Sequence, residues 1–179
     1  MLPLNVPIDA IQLKSLIEKE LQAVRDERVV HHIRKLLIEP RAVFRDWDYG
    51  FPGQEYLCWI TFDDGSDTGI AYCEEGFGPR RPWGLVSAAG GSDRNSIGMD
   101  SGWFPSFMEA YFESISATVL PIWRVFSVDE GKPALPLTEE LSWDEAWRHC
   151  EDERIRKPGS RLMVHHTIAY GVQASTSSA

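Results

Sequence analysis

A chain of 179 residues, 43% of them apolar, is long enough and apolar enough to fill one core, so one domain over residues 1–170 is expected, followed by a disordered tail over 171–179. The 18 basic against 27 acidic residues leave a formal net charge of -9, which repels phosphate backbones and argues against nucleic-acid or anionic-membrane binding. Three scattered cysteines, Cys58, Cys73 and Cys150, exclude a disulfide framework; with no signal-like start and no long apolar run, the expected compartment is the cytoplasm.

Asp9 caps a helix beginning at Ala10, with Gln12 reaching back and Ile8 stapling onto Leu13. Leu13, Leu16, Ile17, Leu21 and Val24 recur at helical spacing. The polar run Arg25 to Arg28 interrupts, and Val30, Ile33 and Leu37 resume before Glu39-Pro40 stops the pattern, which suits one long helix or two short ones. From Arg41 to Ser87 the period becomes two, predicting an antiparallel meander with strands near 42–49, 55–62, 68–73 and 85–87. In the second strand Tyr56, Cys58, Ile60 and Phe62 share one face and Leu57 and Trp59 the other, so both faces are expected to be covered, at least one by helices.

Residues 88–102 form a long polar connection of the kind that carries function. Trp103, Phe104, Phe107, Met108, Tyr111, Phe112 and Ile115 then predict a core helix capped by Asp100 or Ser101, with Pro105 in its first turn. Ile122 to Val128 reads as a strand and Gly131 to Pro136 as a proline-broken linker. Ser142 and Glu145 make a second capping box for a helix burying Ala146, Trp147 and Cys150, and Lys157-Pro158-Gly159 ends it. Alternation from Leu162 through Val164, His166 and Ile168 to Tyr170 gives a last strand. The fold class is therefore α+β: an N-terminal helix, an antiparallel meander of about five to six strands, and helices packed on the sheet.

No catalytic set is expected. His31-His32, His149 and His165-His166 invite zinc, but neighbouring residues diverge on a helix or strand, so neither pair chelates one ion and no metal or cofactor is assigned. No nucleophile elbow and no phosphate-binding glycine motif is present. Asp63-Asp64-Gly65-Ser66-Asp67 lacks the twelve-residue calcium pattern and reads as a hairpin turn. The most distinctive string runs from Glu74 to Gly84. Phe77, Arg80, Arg81 and Trp83 are residue types that dominate protein-binding hot spots, though a rigid corner with Phe77 and Trp83 turned inward fits equally.

Tyr72 to Pro79 with Pro82-Trp83-Gly84, and Gly98 to Phe104, give the chain a resemblance to small immunity-type proteins encoded beside bacterial polymorphic toxins. The resemblance implies a small, acidic, non-catalytic α+β protein whose partner is a basic toxin domain that it holds inactive. On that reading the contact surface holds Asp46, Asp48, Asp63, Asp64 and Asp67 with Phe77, Arg80, Arg81 and Trp83. An alternative is a small-molecule-binding domain or hydrolase with a pocket under the 88–102 loop, lined by Trp83, Asp93, Arg94, Asn95, Asp100 and Trp103. A third is a self-associating domain with an aromatic dimer interface.

Overall fold

The computed structural model describes residues 7–46, 51–66, 68–75, 78–87 and 102–170. Among these the chain is α+β, with four α-helices, a five-stranded antiparallel sheet and a separate three-stranded antiparallel sheet. Two compact units are present, one formed by the chain up to Glu113 together with Tyr170, the other by Ser114–Ala169.

In the first unit, α1 (Ala10–Gln22) starts at the expected capping box. The Asp9 carboxylate accepts from the Gln12 amide at 2.8 Å, and the Gln12 side chain accepts from the Asp9 amide at 3.0 Å. The polar interruption proves to be a second start. Asp26 caps α2 (Glu27–Leu36), accepting from the Arg28 amide at 2.9 Å and from its guanidinium at 2.6 Å, and Arg28 holds that carboxyl below the usual carboxylate range. Leu37, expected to be helical, instead opens strand β1 (Leu37–Asp46). Pro40 cannot continue a helix, and the strand absorbs it in an irregularity between Leu37 and Arg41.

Strands β2 (Glu55–Asp63), β3 (Thr68–Tyr72), β4 (Trp83–Ser87) and β5 (Trp103–Phe104) follow in meander order, so β1 and β5 are the edges. The helix expected from Trp103 begins later. Pro105 bars the residue before it from helical backbone, Phe104 stays extended opposite Trp83, and Ser106, not Asp100 or Ser101, caps α3 (Phe107–Phe112). Asp100 and Ser101 lie outside the described residues.

Helix α3 packs on the sheet through aromatic edges. Phe107 meets Trp83 at 5.3 Å and Phe62 at 6.3 Å between ring centroids, and Tyr111 meets Phe62 at 6.0 Å. The buried Tyr111 hydroxyl finds His32 Nδ1 of α2 at 2.7 Å. Glu20 of α1 accepts from the Phe107 and Met108 amides at 3.3 and 3.0 Å, satisfying the orphan donors that open α3. On the other sheet face Cys58, Ile60, Ala71, Cys73, Val86 and Trp103 form a second, smaller core, and the irregularity between Ile60 and Phe62 turns Phe62, expected on that face, to the α3 side. The β2–β3 register pairs Trp59 with Tyr72, which sets Cys58 opposite Cys73. A thiol–thiol hydrogen bond and burial both push the Cys58 pKa up. Cys58, Cys73 and Cys150 are all buried thiols. Native protein should therefore resist an aromatic disulfide reagent at mildly alkaline pH and react at all three positions only in denaturant; rapid labelling of the folded chain would contradict this.

In the second unit, β6 (Trp123–Ser127) lies between β7 (Leu135–Pro136) and β8 (Leu162–His166). Helix α4 (Trp143–Arg156) starts at the expected Ser142–Glu145 box and buries Ala146 and Cys150. Trp147, expected on the buried side, is 37% exposed, because Trp143 one turn earlier takes the place against Trp123 at 4.5 Å. The last strand stops at His166, before Ile168. Burial, with His165 beside it, lowers the His166 pKa to about 4. A histidine depressed in the folded state contributes stability that is full above its unfolded pKa near 6.5 and is lost as pH falls from there toward 4. The loss should be on the order of 2–3 kcal/mol. His166→Gln should flatten that part of the urea-midpoint-versus-pH curve; an unchanged curve would show that His166 is not its source.

Candidate functional site

Among the described residues, the contact residues expected from sequence do not form one surface. Trp83 is 1% exposed and wedged between Tyr72 (4.9 Å) and Phe107, which makes it a core anchor and removes it from any surface. Trp103, assigned to the alternative pocket, is likewise buried, with its ring laid over Gly84. Asp63 and Asp64 serve their own turn. Asp63 accepts from the Gly65 amide at 2.8 Å, and Asp64 accepts from the Ser66 amide (2.9 Å) and the Thr68 amide (3.0 Å). They sit at the opposite end of β2 from Glu55 and Asp46, about 27 Å away at the usual rise per residue, so the acids split into two groups. Arg80 and Arg81 are exposed on a turn closed by the Arg81 amide on the Gly78 carbonyl at 3.1 Å. Asp48, Asp67, Phe77, Asp93, Arg94, Asn95 and Asp100 lie outside the described residues. Among the described residues no three His, Cys, Asp or Glu side chains group to hold a metal ion, and no helix is long and apolar enough to cross a membrane.

What the fold does assemble is the outer part of one sheet face, where β1 pairs with β2. The register sets Ala42 opposite Trp59, Phe44 opposite Leu57 and Asp46 opposite Glu55. Directly opposed residues share a face, so these six side chains form one continuous stripe, apolar along two rungs and acidic on the third. The face was expected to be covered, but here Phe44 is 59% exposed, Ala42, Asp46 and Glu55 are exposed, and Leu57 and Trp59 are half-buried. In the turn that follows, Phe51 is 83% exposed. On the reverse face of the same strands the opposite holds, since Arg45 is buried and donates through Nη2 to the Ser87 carbonyl at 3.0 Å.

The stripe breaks two local rules at once. Like charges directly opposed on neighbouring strands destabilise a sheet, and an exposed phenylalanine beside half-buried Leu and Trp leaves apolar area in water. Such conflicts concentrate where function requires them. Chemically the stripe offers an aromatic and aliphatic surface bounded by two carboxylates at directly opposed positions. Asp46 is marked in the sequence as an acid, whereas nothing local marks Phe44, Glu55, Leu57 and Trp59 as its neighbours. The register that joins them is set by how β1 and β2 pair, which neither strand's own alternation fixes. Comparison with protein-family models, with curated proteins and with solved structures finds no match for this chain.

Proposed function

We propose that this chain is a non-catalytic protein-binding domain that captures a basic protein through the outer β1–β2 face, in the manner of an immunity protein holding a toxin domain inactive. The observation that carries the reading is the opposed Asp46–Glu55 pair beside exposed Phe44. The carboxylates gain from a cationic partner what they lose against each other, and the aromatic supplies desolvated contact area. The net charge of -9 adds long-range attraction to a basic surface, which raises association rate and falls with salt.

The reading is tested by affinity capture from the source lysate in low salt, followed by a high-salt wash. A stoichiometric basic protein that leaves in the wash is expected; retention of only neutral or acidic proteins, indifferent to salt, contradicts the proposal. Glu55→Lys supplies a second measurement. It removes the like-charge opposition, so it should raise the melting temperature slightly while weakening capture. A purely structural carboxylate would not give that opposed pair of changes.

A further inference from the structure

From the hydrogen-bond pattern of the sheet we infer that the partner docks as an added strand: an extended segment of another protein pairs antiparallel with β1, a cationic residue opposite Asp46 and apolar residues opposite Phe44 and Ala42. This rests on the protein-binding reading above and specifies how the partner is held.

The backbone direction of β1 follows from bonds further into the sheet. The Cys73 amide donates to the Pro82 carbonyl at 2.8 Å, so Cys73 points its backbone groups toward β4 and its neighbour Tyr72 points toward β2. Backbone direction alternates along a strand, and opposed residues either exchange both bonds or neither. Trp59, opposite Tyr72, therefore faces β3; Cys58 faces β1; and Val43, opposite Cys58, faces β2. Independently, the Leu85 amide donates to the Gly102 carbonyl at 2.8 Å, which fits the same alternation. The amides and carbonyls of Ala42, Phe44 and Asp46 thus point out of the sheet at its β1 edge. The same three residues carry three of the stripe's four exposed side chains, Glu55 being the fourth. One strand laid along this edge would meet both the backbone groups that pair with no strand among the described residues and, on one face, Ala42, Phe44 and Asp46.

Charge decides between occupants. In a second copy of the chain, two-fold antiparallel pairing that keeps the faces aligned and centres on Phe44 sets Phe44 against Phe44 and Ala42 against Asp46, so the carboxylates meet no cation and two chains of net charge -9 are brought together. A foreign segment reading cation, any residue, apolar, any residue, apolar satisfies all three positions.

The test titrates isotope-labelled full-length protein with the capped peptide Thr-Lys-Thr-Val-Thr-Leu-Thr and follows backbone amide shifts. Shifts centred on Ala42, Phe44 and Asp46 are expected. A peptide with Glu in place of Lys should bind about tenfold more weakly. Ala42→Pro removes an outward-facing amide, which an edge strand tolerates, so it should leave the melting temperature near wild type while binding is lost. Absence of shifts at these amides, or unchanged binding by Ala42→Pro, overturns strand addition, as does concentration-dependent dimerisation through the same amides without peptide. A basic partner still captured by Ala42→Pro but lost by Asp46→Lys would overturn strand addition alone and leave the protein-binding reading standing.

Discussion

Replacing Trp83 by alanine should lower the unfolding free energy by about 3–5 kcal/mol, the cost of emptying a large aromatic site in a core that closes only partly around the gap. The indole is 1% exposed, stands edge-on to Tyr72 and Phe107, and ties β4 to β3 and to α3 at once. No smaller neighbour can take its place, because Phe62 is already held in edge-to-face contact with both Phe107 and Tyr111. Urea unfolding at neutral pH should show the whole loss. Conservative Trp83→Phe should recover part of it. A variant that unfolds like wild type would place the ring at the surface after all.

Gly84→Ala should cost about 1–3 kcal/mol although it adds one methyl. A β-carbon built there comes within 2.8 Å of two atoms of the Trp103 indole, and this ring is buried at 6% exposure in the smaller core. Since Gly84 and Trp103 are directly paired across β4 and β5, the sheet cannot spread to relieve the clash without losing that pairing. The pair should be strongly coupled: Trp103→Leu, which itself empties space, should absorb much of the Gly84→Ala penalty in a double-mutant cycle. Additive losses would show that the glycine serves some other purpose.

Local physics wrote the helices into the sequence. Both capping boxes and the meander from β1 to β4 needed only periodicity and turn chemistry, whereas the run Arg25 to Arg28 suited one long helix or two short ones and is settled by the Asp26 cap. Two departures trace to prolines. Pro40 lies within β1, where the pairing is irregular between Leu37 and Arg41, and Pro105 held Phe104 extended so that a short fifth strand preceded α3. Others depended on distant partners. Nothing near Trp83 shows that Phe107 will cover it, and nothing near Ile122 shows that β6, β7 and β8 will form a sheet of their own instead of extending the meander. The site was legible only in part for the same reason. Asp46 stood out as a charge, but its significance comes from Glu55 across the register and from Phe44 two residues before it. The acids of the β2–β3 turn looked equivalent in composition and turned out to be satisfied by their own backbone.

The most direct test of the partner face compares capture of the basic partner by wild type, by Phe44→Ser with Asp46→Lys, and by Asp63→Asn as an acid-removing control at the other end of β2. The double variant should lose the partner while melting like wild type, and Asp63→Asn should retain it. Equal capture by all three, or loss only with Asp63→Asn, would contradict the assignment of the outer β1–β2 face.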